Sequence, residues 1–380
     1  MHLHVVSFDI PYPPTYGGVI DVFYRIRALA EAGVRVHLHC FEYKRPQAPE
    51  LAAFCESVAY YPRQDLLRSL PVRYPHIVKS RASEALLSRL LLDDIPILFE
   101  GLHSTYFLTH PEFQRRLRLV RMHNIEWEYY YQLAQRESGY LRKQYYLAES
   151  QLLRTFEETL AAATHILTIS PRDTAYYLEK FPQTTRYLPP FHAHTEIRSR
   201  SGTGGYALYH AKLSVPENHE AAMFLIREVF AHLDVPLIIA GSEALPELIT
   251  AISGHEHILL RPDPGEGEML DLWLDAQIHV LPTFQATGIK LKLINALYNG
   301  RWVLVNPPMV YNTGLEFGCV VARDAEEYRR EVLRLMGTPF SAIEIAQRKA
   351  LLRETYSNER NARHLISMIY GPRPDPALPA

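Results

Sequence analysis

No apolar run in this 380-residue chain approaches the roughly 20 residues that a membrane-spanning helix needs. There are only three cysteines, Cys40, Cys55 and Cys319, scattered and odd in number. That excludes a disulfide framework and a zinc cluster, and the expected compartment is a reducing cytoplasm. A basic excess is also lacking. Lys and Arg total 40 against 42 Asp and Glu, for a net charge of -2, so no nucleic-acid partner is expected. Several catalytic patterns are absent as well: G-x-G-x-x-G, H-E-x-x-H, G-x-S-x-G and a strand-end D-x-D. Repeats and low-complexity segments are missing. The first residues read directly as a strand, with no basic n-region or apolar h-region, so a cytoplasmic chain without a leader is expected. Peripheral contact with a membrane stays open.

What is present is a strongly punctuated α/β pattern of two-domain length. Its centre is residues 281–306. The run 276–281 reads as a buried strand, followed by a loop holding Pro282 and Gly288. A helical pattern with Leu291, Ile294 and Leu297 on one face stops at Gly300, and Val303 to Val305 reads as the next buried strand. Strand, polar loop, helix, strand is the unit of a parallel sheet, whose ligands lie outside the carboxyl ends of the strands. Thr287, Gly288, Lys290, Lys292 and Asn295 are therefore expected there. A helix start beside two lysines suits a phosphate or diphosphate.

These residues carry a resemblance. Gly288-Ile289-Lys290-Leu291-Lys292 followed by Asn295-Ala296-Leu297-Tyr298-Asn299-Gly300 resembles the donor-sugar motif of the GT-B glycosyltransferases, of the retaining group 1 or family-4 kind. That family has two glutamates eight positions apart, where this chain has Thr287 and Asn295. The second glutamate holds the nucleotide ribose in the family. Asn295 can still hydrogen-bond a ribose hydroxyl, without a charge.

The N-terminal end has the same grammar. A strand at 3–8, a Pro-rich loop, Gly17-Gly18 opening a helix over 19–32, Gly33 and a second strand at 34–40 make a βαβ unit of nucleotide-binding length. The resembled family opens similarly. Gly17 and Gly18 allow close backbone approach to a phosphate or acceptor, and the alternative is a tight packed turn. Strands are expected near 58–61, 95–99, 118–122 and 165–170, the last closing the first half, with Ser170 capping a helix that starts at Pro171. Residues 66–73 read as a loop or short helix, and residues 126–160 as one long helical segment. Its Tyr129-Tyr130-Tyr131 and Tyr145-Tyr146 suit interdomain packing, or a surface for an acceptor or membrane edge.

The expected architecture is GT-B: two Rossmann-like domains facing an interdomain cleft, with the C-terminal helix returning to the first domain. Residues 1–188 form the acceptor domain, 189–205 a linker, 206–356 the donor domain, and 357–380 the returning helix and a tail. His123, after a strand, matches the family's histidine near the donor sugar, and Glu126 is an acceptor-orienting candidate; the alternative is a structural His beside a capping Asn124. Glu100-Gly101-Leu102-His103 ends another strand. Lys212, after His210-Ala211, matches a phosphate-binding Arg of the family, and Pro216-Glu217-Asn218 resembles one branch of it. Asn218 replaces a second basic residue there, for which Lys290 and Lys292 compensate. Gly241-Ser242 and Arg261-Pro262-Asp263 read as strand-end loops beside the nucleotide. The pairs His2/His4, His37/His39, His192/His194 and His255/His257 each fall on one strand face if extended. Zinc still needs a third ligand, so no metal is expected.

The resemblance thus implies transfer of a sugar from a nucleotide-diphosphate donor, a UDP- or GDP-sugar acting as co-substrate, to a sugar, lipid-linked or protein acceptor. No tightly bound cofactor is implied. The alternatives are a weakened scaffold that binds without turnover, and an unrelated two-Rossmann binding protein of periplasmic type.

Overall fold

The structure is a computed structural model and describes residues 1–64, 73–284, 291–311 and 313–372. The predicted site residues Thr287, Gly288 and Lys290, and most of the segment 66–73, lie outside the described residues. The chain divides into two compact units, 1–193 with 356–380, and 194–355.

Unit 1 is built on a fully parallel sheet of seven strands among the described residues, in the order β3-β2-β1-β4-β5-β6-β7. These are β1 (His2–Ser7), β2 (Arg35–Glu42), β3 (Ser57–Pro62), β4 (Ile97–Glu100), β5 (Arg118–Met122), β6 (His165–Thr168) and β7 (Thr185–Tyr187). Alternation sends Leu3, Val5, Leu98 and Leu119 to one core, and Val6, Ile97, Phe99 and Val120 to another, so both sheet faces are buried. Helix α1 (Gly17–Glu31) follows β1; α2 (His76–Lys79) and α3 (Glu84–Leu90) precede β4. The order reverses direction beside β1, leaving a crevice position at the carboxyl ends of β1 and β4.

Two expectations need correction here. β6 does not close the first half, because the three-residue strand β7 pairs with it in parallel at the sheet edge. The segment 126–160 is two helices, α4 (Glu126–Arg136) and α5 (Tyr140–Phe156), packed on each other. The break comes where the Glu137 side chain accepts from the Gly139 amide at 2.8 Å, taking that donor out of the helical ladder. The tyrosines expected between domains lie along this hairpin. Tyr130 packs edge-on against Tyr146, 6.1 Å between centroids, and Tyr145 packs on Tyr146. Helix α6 (Pro171–Lys180) starts as expected, with Ser170 Oγ accepting from the Asp173 amide at 3.1 Å.

Unit 2 repeats the plan with six parallel strands among the described residues, ordered β10-β9-β8-β11-β12-β13. They are β8 (Ala207–His210), β9 (Leu237–Gly241), β10 (Ile258–Pro262), β11 (Ile278–Leu281), β12 (Trp302–Val305) and β13 (Val320–Val321). Helices α7 (Pro216–Phe224), α8 (Pro246–Ile252), α9 (Glu266–Asp275), α10 (Leu291–Asn299), α11 (Pro307–Val310), α12 (Ala325–Met336) and α13 (Ala342–Thr355) belong to this unit. The last helix, α14 (Asn358–Tyr370), belongs to unit 1. Its Ala362, Leu365, Ile366 and Ile369 share a core with Val22, Ile26 and Leu29 of α1.

Candidate functional site

In unit 1 the loops after β1, β4 and β5 converge on a buried ionic cluster. Asp21 and Arg25 are one turn apart on α1, and their side chains meet at 2.6 Å. Arg121 on β5 grips the same carboxylate with two bonds of 3.0 Å. The Phe191 amide adds a fourth at 2.8 Å. Arg25 also pairs with Glu100, at the end of β4. Burial works to raise the pKa of Asp21, but the guanidiniums of Arg121 and Arg25 together hold it well below the usual carboxylate range.

His123, expected at the donor sugar, is the outermost member of this cluster. Its Nε2 lies 3.1 Å from Glu100 Oε2. An ionised carboxylate only accepts, so Nε2 carries a proton, and in the neutral ring Nδ1 is then the acceptor. Phe8 packs edge-on against the ring at 5.4 Å. Three members, Asp21, Glu100 and His123, bring potential ligand atoms within 4.8 Å of one another, the one such group among the described residues. Their charge is already met by two guanidiniums, so the set does not fit a metal ion.

Glu126, at the start of α4, is buried to 2% exposure, and its Oε1 has no hydrogen-bond partner. Burial pushes its pKa up to about 8, so it is protonated at neutral pH and can donate a hydrogen bond. Its other oxygen lies 3.9 Å from His103 Nε2. The His103 pKa is held well down by burial and then by Arg81. Gly17 and Gly18 open α1 without a side-chain cap and without an acid in the first turn. A Cβ on Gly18 would stand 2.8 Å from the tip of the Phe8 ring, so a larger residue there would have to displace that ring.

In unit 2 the predicted residues also gather at carboxyl strand ends, and most of the described ones already have partners. Lys212, after β8, pairs on the surface with Glu243 at 2.8 Å. Lys292, in the first turn of α10, donates to Asn218 Oδ1 at 2.8 Å and lies over the Tyr209 ring. Asn218 also donates to the Lys212 carbonyl at 3.0 Å. Asn295 meets His194 Nε2 through its Oδ1 at 2.7 Å, and the His194 ring stacks on Tyr298. Gly241 has φ +154, and a Cβ there would come within 1.7 Å of the Ala211 carbonyl oxygen. This glycine lets the ends of β8 and β9 touch. Asp263 follows β10 with φ +47, its amide bonded to Gly241 O at 3.0 Å.

Sequence reasoning missed the residues that support these groups. Asp21 and Arg25 fall within the expected helix 19–32 and Arg121 within the expected strand 118–122, and nothing in their spacing marks them as partners. His210, two residues before Lys212, is buried with both ring nitrogens unpartnered and sits edge-on to Trp273 at 5.5 Å. His2, His4, His37 and His39 do share one sheet face. They form cross-strand ring contacts, His2 to His37 at 2.9 Å and His4 to His39 at 2.8 Å, anchored by Asp93 and Tyr61.

No family model matches the sequence. The chain is 24% identical over 381 residues to an uncharacterized 44.6 kDa protein in the cps region of Klebsiella pneumoniae, covering 94% of this chain and 96% of that one. Its structure is similar to TarM, with a TM-score of 0.69 at 9% identity over 97% of this chain and 98% of that chain. It is similar to an alpha,alpha-trehalose-phosphate synthase (UDP-forming) from Burkholderia xenovorans in complex with glucose-6-phosphate, with a TM-score of 0.64 at 10% identity over 97% and 100%. It is also similar to Medicago truncatula UGT71G1 complexed with UDP-glucose, with a TM-score of 0.56 at 9% identity over 97% and 98%. Two parallel-sheet units, the first of which takes up the final helix, aligned along nearly their whole length with these proteins, give this chain the GT-B fold.

Proposed function

We propose that the protein transfers a sugar from a nucleotide-diphosphate donor to an acceptor with retention at the anomeric carbon. The observation that carries this reading is full-length similarity to glycosyltransferases that include a UDP-forming synthase and a UDP-glucose complex. The relative from a cps region favours polysaccharide biosynthesis as the setting, in the cytoplasm. A UDP- or GDP-sugar is the co-substrate, and no tightly bound cofactor takes part.

The donor rests on unit 2. Lys292 meets the diphosphate at the start of α10, where the helix dipole also favours negative charge, and Thr287, Gly288 and Lys290 are the further candidates for it. Lys212 and the loop after Gly241 close on the phosphates, and Asn295 bonds a ribose hydroxyl. The acceptor, a sugar or a lipid-linked or protein-linked chain, rests on unit 1. On that unit His123, held by Glu100, and protonated Glu126, which can donate to an acceptor oxygen, are the candidate sugar-side groups, and the Gly17 and Gly18 amides can approach a phosphate or acceptor. The bond from the anomeric carbon to the diphosphate oxygen breaks, the bond to the acceptor oxygen forms on the same face, and the acceptor hydroxyl's proton passes to the departing diphosphate oxygen. The protein's contribution is positioning and stabilisation of the leaving diphosphate.

A second reading has its own support: a GT-B scaffold that binds nucleotide or sugar without turnover. Lys212, Lys292 and Asn295 already engage Glu243, Asn218 and His194, and the ribose position carries no acid. One experiment separates the readings. Thermal shift is measured with UDP, GDP and their sugars, and release of nucleoside diphosphate is followed with and without a glycan extract as acceptor. Stabilisation with release supports transfer, and stabilisation without release supports the binding scaffold. Neither response from any nucleotide overturns both.

A further inference from the structure

The first turn of α5, beside the break after α4, exposes two apolar side chains side by side. Tyr140 is 73% exposed and Leu141 83% exposed. The turn is well built: Glu137 accepts from the Gly139 amide, and the Lys143 amide bonds to Gly139 O at 2.9 Å. The surrounding stretch 136–143 holds Arg136, Arg142 and Lys143 against Glu137 alone, three positive charges to one negative, while the whole chain is net -2. Arg142 and Lys143 form no ion pair among the described residues.

The chain supplies its own comparison. Three apolar side chains are exposed by 80% or more among the described residues: Leu92, Leu141 and Phe317. Leu92 is followed by Asp93 and Asp94, and Phe317 is preceded by Glu316. Only Leu141 lies between an exposed tyrosine and two basic residues. Tyrosine and leucine at headgroup depth, with Arg and Lys stems reaching back to lipid phosphates, is the pattern of an interfacial anchor. A stable protein interface needs about 800 Å² per partner, whereas an aromatic side chain buries only about 150–250 Å².

We propose that the first turn of α5 docks on an anionic lipid surface, Tyr140 and Leu141 entering the headgroup layer and Arg142 and Lys143 meeting lipid phosphates. The docking stands apart from glycosyl transfer and is measured without turnover. Full-length protein is sedimented with phosphatidylglycerol–phosphatidylcholine vesicles and with pure phosphatidylcholine vesicles, at low and high salt. Binding is expected on the anionic vesicles and is expected to fall with salt. Arg142→Ala and Lys143→Ala should each lower the partition coefficient about fivefold. Tyr140→Ser with Leu141→Ser should abolish binding, and Leu92→Ser and Phe317→Ser should leave it unchanged. None of these positions is buried, so matching thermal melts confirm folding. The proposal is overturned by equal binding to both vesicle types, by no binding, or by equal loss in Leu92→Ser. Self-association that Tyr140→Ser removes would also overturn it, by assigning the turn to a second copy of the chain.

Discussion

Replacing Asp21 with asparagine changes one atom and tests whether the ionic cluster holds unit 1 together. The wild-type cluster balances Asp21 and Glu100 against Arg25 and Arg121, all buried. Asp21→Asn would leave one net positive charge with no access to water, and the new NH2 group would face a guanidinium that only donates. Removing one partner of a buried ion pair costs about 3–5 kcal/mol, a large share of the roughly 5–15 kcal/mol that stabilises a domain. With a urea m-value of about 3 kcal/mol/M, the midpoint should drop by about 1–1.7 M. Trp127 is the one tryptophan of unit 1, so fluorescence in a Trp273→Phe/Trp302→Phe background reports that unit's transition. A drop of less than about 0.3 M, under about 1 kcal/mol, would refute the assignment. Adding Arg121→Met should recover part of the loss, because the uncompensated charge is then gone.

The remaining predictions concern protons, backbone and nucleotide. Glu126 has a folded pKa of about 8 against an ordinary 4.5, so the folded state holds an extra proton between those values. Stability should therefore fall by a few kcal/mol as pH rises from about 4.5 to 8, and Glu126→Gln should flatten that slope in urea titrations. Burial lowers His4 to about 4 and His39 to about 3, so the unfolded chain binds more protons below pH 6.5. This opposite limb should weaken the fold between about pH 6.5 and 4, and His39→Phe should reduce it in the same titration. Gly241→Ala should destabilise unit 2 by about 2–4 kcal/mol, since its Cβ would lie inside the Ala211 carbonyl; an unchanged melting temperature would contradict the close contact. Lys292→Ala should abolish most stabilisation by nucleoside diphosphate in a thermal shift series, whereas unchanged nucleotide affinity would remove Lys292 from the proposed site.

Both parallel sheets were legible in the sequence because doubly covered strands are continuous apolar runs, as at Ile97 to Phe99 and Leu237 to Ala240. β7 was not, since a three-residue edge strand, Thr-Arg-Tyr, has no periodicity to detect. The split of residues 126–160 turned on one side-chain bond at Glu137, too local for a pattern in apolar residues. Placement after a strand, together with the resemblance to the GT-B family, pointed to His123, Glu126 and Lys212. Their electrostatic state did not show, because it depends on partners far away in sequence. Asp21 meets Arg121 across 100 residues, and Arg25 meets Glu100 across 75. The spacing of Asp21 and Arg25 alone resembles an ordinary solvent-facing pair on a helix.

The return of α14 to α1 also sets a timetable for synthesis. A ribosome finishes residue 193 long before residue 370, and 177 codons lie between them (370 minus 193). At about 5–20 residues per second, α1 waits roughly 9–35 s with the apolar patch around Val22 and Ile26 uncovered. During that interval unit 2 can mature as one continuous piece, while the earlier unit stays unfinished and open to chaperones. A message truncated before Ala362 should therefore yield a well-folded later half attached to a sticky, protease-sensitive earlier one.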